Sequence, residues 1–207
     1  MLIAILGAEC TGKTQLAREA ASRLSQANPG ATWVAEYLRE WCDTQGRTPR
    51  ADEQRAIAQM QMDRLQAHAS SDPVLSDTAP LMTAVYSDVI FGDTSLYSFA
   101  VAQHAKFDLT LVTGLDLPWV ADGIQRDGEA MRQQVDRRLR EVLAQNQIGF
   151  STVYGTGSKR TDNALQAIGY ASGTGRVASE RSHWKWDCDK CSDADCEHRM
   201  FSGLLSP

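Results

Sequence analysis

The residues Gly7-Ala8-Glu9-Cys10-Thr11-Gly12-Lys13-Thr14 fit the pattern G-x-x-x-x-G-K-[ST], whose chemistry is the binding of phosphate. Two glycines let backbone N–H groups converge on phosphate oxygens, and the first turn of a following helix adds partial positive charge. A lysine at the seventh position reaches the β and γ phosphates, and the hydroxyl after it can hold magnesium. Gly7 to Thr14 are therefore expected to bind ATP, with Lys13 acting on the phosphates and Thr14 serving Mg2+. The loop alone leaves hydrolysis, transfer to a substrate and switching open.

Two carboxylates are candidates for the rest of the chemistry. Asp77 closes the apolar run Val74-Leu75-Ser76-Asp77, the place from which a second acidic group faces magnesium in such sites; its other reading is a cap on the helix that follows. Glu36 stands at the end of a second short apolar run, where ligands collect in open α/β sheets. A carboxylate there can orient or deprotonate an acceptor hydroxyl, or form a surface pair with Arg39 or Arg50. Which acid acts on the hydroxyl and which on the metal is open at this level.

These groups need a frame. Leu2 to Leu6 is wholly apolar and Lys13 to Ala27 carries Leu16, Ala20 and Leu24 at helical spacing, which reads as buried strand, loop and helix. Asn28-Pro29-Gly30 breaks the helix before a strand at 32–35. Thr48-Pro49 reads as the cap and first turn of the next helix, with Ala58, Met62 and Leu65 on one face. Strands follow at 74–77, 107–113 and 149–154, separated by a helical pair that breaks at Gly92-Asp93 and by a helix striped with Met131, Val135, Leu139 and Val142. A last helix covers 161–168. Strands alternating with helices predict an α/β fold of the P-loop NTPase type: a mainly parallel sheet of about five strands with helices on both faces. The expected division is a P-loop domain over 1–170 and a tail over 171–207.

With those positions in hand, the sequence resembles the nicotinamide riboside kinase family, the kinase domain at the end of bifunctional regulators of bacterial NAD synthesis. The resemblance is carried in order by Gly7-Ala8-Glu9-x-Thr11-Gly12-Lys13, Glu36-Tyr37-x-Arg39-Glu40, Asp77-Thr78 with Thr83-Ala84-x-Tyr86-Ser87, and Pro118-Trp119-Val120-x-Asp122-Gly123 followed by Arg126. It implies a kinase that uses ATP and Mg2+ to phosphorylate the 5′ hydroxyl of nicotinamide riboside. It further implies that Glu36, Tyr37, Trp119 and Asp122 belong to the riboside pocket. An indole face over a cationic pyridinium ring is worth about 0.5 to 2 kcal/mol, and a carboxylate can accept from ribose hydroxyls. The segment from Arg126 to Arg132 resembles the arginine-bearing lid of small-molecule kinases, where guanidinium groups meet charge on a transferring phosphoryl group. Arg126 is the stronger catalytic candidate, Arg132 a nucleotide contact, and Arg137, Arg138 and Arg140 read as a solvated helix face. The bifunctional regulators carry DNA-binding and adenylyl-transfer domains ahead of the kinase; with the first strand at Leu2, neither activity is expected of this chain.

Two cysteine features stand apart. Cys10 replaces the serine more usual in that family, at a helix N-terminus that can activate a thiol. Cys188-x-x-Cys191 followed by Cys196-x-His198 offers enough ligands for a tetrahedral structural zinc; the competing readings are an incidental cysteine-rich end or a redox pair.

Composition bounds the partners. The 207 residues are 43% hydrophobic and 23% charged with a net charge of -5, so a folded water-soluble protein is expected and bulk attraction to nucleic acid is not. No apolar run approaches a membrane span and no leader precedes the first strand, so a cytoplasmic protein with a small-molecule substrate is the expectation, its oligomeric state left open. Kinases of another nucleoside or metabolite, and a regulatory ATPase with a protein partner, are the alternatives.

Overall fold

The computed structural model describes residues 1–120 and 128–171. The chain divides into two units, Met1–Gly175 and Arg176–Pro207, and only the first contains described residues. Asp122, Arg126 and the ligands assigned to zinc, Cys188, Cys191, Cys196 and His198, lie outside them.

Five strands, β1 (Leu2–Leu6), β2 (Thr32–Val34), β3 (Val74–Asp77), β4 (Leu109–Thr113) and β5 (Ser151–Val153), form one sheet in the order β2-β3-β1-β4-β5. All four pairings are parallel. Among the described residues seven α-helices join them: α1 (Lys13–Ala27), α2 (Tyr37–Gln45), α3 (Gln54–Gln66), α4 (Pro80–Phe91), α5 (Tyr97–His104), α6 (Glu129–Gln145) and α7 (Gly157–Ala171). None is long and apolar enough to cross a membrane among the described residues.

The strand period of two sorts β1 between two cores. Ile3 and Ile5 pack with Leu16, Ala17 and Ala20 of α1 and Ala164 and Ile168 of α7. Ala4 and Leu6 face the opposite core, built on Leu81, Met82 and Val85 of α4 and Val135, Leu139 and Leu143 of α6. The predicted two-faced parallel sheet is the observed one.

Three local expectations change. Residues 37–45 form helix α2, where the sequence showed only the end of a strand. Cys42 is the one residue of α2 classed as buried, so the helix has too narrow an apolar stripe to announce itself by periodicity. Gly46, at φ 65°, ends it by donating to Cys42 O at 2.8 Å. Thr48-Pro49 does not start α3. A short 3-10 turn at Ala51–Glu53 intervenes, closed by Arg50 N–H donating to Glu53 at 2.8 Å. Nor is the arginine side of α6 simply solvated. Arg138 donates to Asp88 on α4 at 2.6 Å, and Arg140 pairs with Asp136 at 2.9 Å.

His104, at the end of α5, is 3% exposed. Its Nε2 meets Thr110 Oγ1 at 2.8 Å, and burial pushes its pKa down from 6.5 to about 4. The unfolded chain therefore binds this proton between pH 6.5 and 4 while the folded chain refuses it, so stability falls as pH falls through that window. Urea titrations should show the wild type losing about 2 kcal/mol more than His104→Gln between pH 7 and pH 5. Parallel losses would show that His104 does not set this slope.

Candidate active site

The site lies where the chain reverses its direction of travel across the sheet, at the carboxyl ends of β1 and β3. Ile5 pairs with Asp77 in the parallel register, which places the acid beside the strand that feeds the phosphate loop. That loop runs from Leu6 to the first turn of α1. Gly7, at φ 146°, admits no side chain: a Cβ there would meet Thr113 Oγ1 at 2.1 Å. Gly12, at φ 74°, is the N-cap of α1. Thr11 donates to Ala8 O at 2.7 Å and accepts from Thr113 at 2.7 Å, so the loop is underpinned by β4. Lys13 Nζ donates to Ala8 O at 2.8 Å.

A cavity of about 1380 Å³ opens over this loop. Glu9 to Gln15 form its floor, and Glu36, Arg39 and Cys42 one wall. Tyr86, Ile90 and Phe91 of α4 contribute another part of the lining, together with Leu117, Pro118 and Val120. It therefore brings together the phosphate loop, the end of β2 and the segment after β4, which are far apart in the chain. Glu36 is held above the usual carboxylate range, first by burial and then by Asp77, against the opposing pull of Lys13 and Arg39. Arg39 lies 3.8 Å from it, so the surface pair anticipated for Glu36 is present as a loose contact on an acid that still lines the cavity.

Asp77 is 1% exposed and neither carboxylate oxygen has a hydrogen-bond partner. A buried acid without donors is costly unless a cation completes it. The cap reading is not realised, since α4 begins at Pro80 with Ala79 as its N-cap. Asp77 and the Thr14 hydroxyl are hard oxygen donors of the kind magnesium takes alongside phosphate oxygens. The residues present thus fit that ion. Among the described residues there is no cluster of three or more His, Cys, Asp or Glu side chains suited to a metal.

Several anticipated residues are placed elsewhere. Tyr37 is not brought to the cavity lining. Its N–H donates to Gln61 at 2.8 Å and its ring lies under the Arg64 guanidinium at 4.5 Å. Trp119 is half-buried, with an Nε1 that has no partner, and it is the neighbours Pro118 and Val120 that line the cavity. Its segment does reach the phosphate loop, because Cys10 Sγ donates to Val120 O at 3.3 Å. Arg132 is 3% exposed and donates to Leu117 O at 2.8 Å, so it braces that segment instead of entering the cavity.

Sequence reasoning missed Arg160. From the first turn of α7 it donates to Thr11 O at 3.0 Å, Gly114 O at 3.2 Å, Gly155 O at 2.7 Å and Asp116 at 2.8 Å. One buried guanidinium thus fastens the phosphate loop to the turns after β4 and β5. An arginine opening a helix looks like a solvated charge in the sequence, and no local spacing marks its target 149 residues away.

A family model described as an AAA domain matches residues 2–160. The chain belongs to that family. Among solved structures, this AAA-domain chain is similar to a NadR protein in complex with NAD and AMP-PNP, at TM-score 0.67 and 20% identity over 83% of this chain and 49% of that one. A NadR protein in complex with NR matches at TM-score 0.66 and 20% identity, over 83% and 50%. The chain therefore spans about half the length of these NadR chains. A thymidylate kinase from Ehrlichia chaffeensis matches at TM-score 0.58 and 14% identity, over 82% of this chain and 97% of the other. These likenesses show an α/β P-loop kinase-like fold. A comparison with curated proteins finds no match.

Proposed function

We propose that this chain is a kinase that transfers the γ-phosphoryl group of ATP to the 5′ hydroxyl of nicotinamide riboside, giving nicotinamide mononucleotide and ADP. The observation that carries a transfer reaction is an acid on the cavity wall, Glu36, coupled electrostatically to a buried acid behind it, Asp77, and to Lys13 of the phosphate loop. Asp77 is buried and unpartnered, and Glu36 senses both Asp77 and Lys13 electrostatically. Magnesium, held by Thr14 and Asp77, would neutralise charge on the β and γ oxygens. The backbone N–H groups of residues 8–13 and the Lys13 ammonium bind the phosphates. Glu36 takes the proton of the attacking hydroxyl as the new P–O bond forms and the bond to the ADP oxygen breaks. Arg126 is assigned the lid role, and Trp119 and Asp122 the nicotinamide and ribose ends.

The nicotinamide riboside reading is supported by the run Pro118 to Gly123 and by neighbours whose structures hold NR, NAD and AMP-PNP. The thymidylate kinase neighbour, matched over almost its whole length, supports the broader reading of a kinase for another nucleoside or nucleotide. ADP release measured with MgATP and a panel of nucleosides, nucleotides and no acceptor decides between them. Stimulation by nicotinamide riboside above all other acceptors is expected. Stimulation by a different acceptor overturns the substrate, and acceptor-independent ADP release points to a regulatory ATPase.

A further inference from the structure

Glu9 sits inside the phosphate loop, yet its side chain is not suited to phosphate, since a carboxylate repels one. The structure turns it instead towards α4, where the Tyr86 hydroxyl donates to Oε2 at 2.8 Å. The other oxygen, Oε1, is buried and has no partner. Glu9 and Tyr86 both line the cavity, beside Ile90 and Phe91. Burial first, and Glu9 second, hold the Tyr86 phenol well above its ordinary range, so it keeps its proton and remains a donor to Oε2. A fixed carboxylate with one oxygen tied and the other buried without a partner asks for a donor. Phosphate oxygens are excluded, and a hydroxyl suits it.

The position of Glu9 narrows which hydroxyl. It belongs to the loop that cradles the phosphates, so the part of an acceptor nearest to it is the part next to the transferred group. In a nucleoside that part is the sugar; the base lies one ring further off. We propose that Glu9, oriented by Tyr86, is a specificity-determining residue whose Oε1 accepts a hydrogen bond from a ribose hydroxyl of the acceptor. The site then favours ribonucleosides over deoxyribonucleosides and disfavours acceptors that already carry a phosphate near Glu9. This inference rests on the kinase reading above and extends it to the sugar.

The experiment is steady-state kinetics of the wild type, Glu9→Gln and Tyr86→Phe. The acceptors are nicotinamide riboside, adenosine and cytidine, each compared with its 2′-deoxy and 3′-deoxy forms. In the wild type, removal of one of the two hydroxyls is expected to lower kcat/KM by roughly tenfold to a hundredfold. Glu9→Gln should raise the KM for the ribonucleoside and lower that ratio, because a neutral amide bonds a hydroxyl more weakly than a carboxylate does, while the KM for MgATP moves less than twofold. Tyr86→Phe should shift the ratio in the same direction by less, because it frees Glu9 without removing it. A merely structural role would move thermal unfolding or the KM for MgATP and leave the ribose-to-deoxyribose ratio alone. The proposal is overturned by an unchanged ratio in Glu9→Gln, or by a wild type indifferent to both hydroxyls. If the wild type ignores nicotinamide riboside but shows this pattern with another ribonucleoside, the Glu9 assignment stands and only the nicotinamide reading falls. If no nucleoside is phosphorylated, both fall.

Discussion

Asp77→Asn is expected to lower turnover about a thousandfold, equivalent to roughly 4 kcal/mol of transition-state stabilisation, while leaving the folded chain at least as stable as the wild type. The two halves have one cause. A carboxylate that is 1% exposed, with both oxygens unpartnered, burdens the fold and is useful only to a cation and the phosphates it neutralises. Asparagine keeps the shape beside Ile5 and removes the charge. It also removes the Asp77 contribution that raises the Glu36 pKa. Turnover with MgATP and thermal unfolding check the two halves together. A variant with wild-type turnover would end the metal assignment, and one that unfolds at much lower temperature would make Asp77 a structural acid.

Glu36→Gln should be nearly as damaging by another route. Removing a general base typically costs about a hundredfold to ten-thousandfold, and here the loss should fall on kcat while the KM for MgATP stays close to wild type. The pH profile provides a signature. Burial, reinforced by Asp77, keeps the proton on Glu36 above the ordinary 4.5, and only the ionised form can accept a proton from the hydroxyl. Wild-type turnover therefore declines as pH falls through that raised value, and the decline should be absent from the residual activity of Glu36→Gln. A variant that retains the same acid limb would transfer the role of base to another group.

Much of this arrangement is legible before any coordinates. Gly7 to Thr14 announce themselves because a tight loop around phosphate tolerates few residue types at fixed spacing. The strands β1, β3 and β4 are readable because a strand buried on both faces is predominantly apolar. Glu36 and Asp77 follow from the rule that ligands meet the carboxyl ends of such strands. What failed was orientation. Tyr37 stands next to Glu36 in sequence, but α2 carries it under Arg64, whereas Glu36 lines the cavity. Arg132 lies in a lid-like sequence but is buried and donates to Leu117 O without joining the cavity lining. Periodicity reports which faces are buried and says nothing of which partner fills them.

The amino-acid sequence, then, determined the phosphate loop, the strands that carry the two acids and the class of sheet, because each rests on local rules of backbone conformation and burial. Only the tertiary structure decided that Asp77 is an orphan, that Glu9 is claimed by Tyr86 across 77 positions of chain, and that Arg160 fastens the loop from the first turn of α7. Those pairings depend on strand order, which sets β3 beside β1, and on the helices that sheet recruits. Contacts between residues so distant in the chain leave no spacing to read, because it is the packed sheet that brings them within bonding distance.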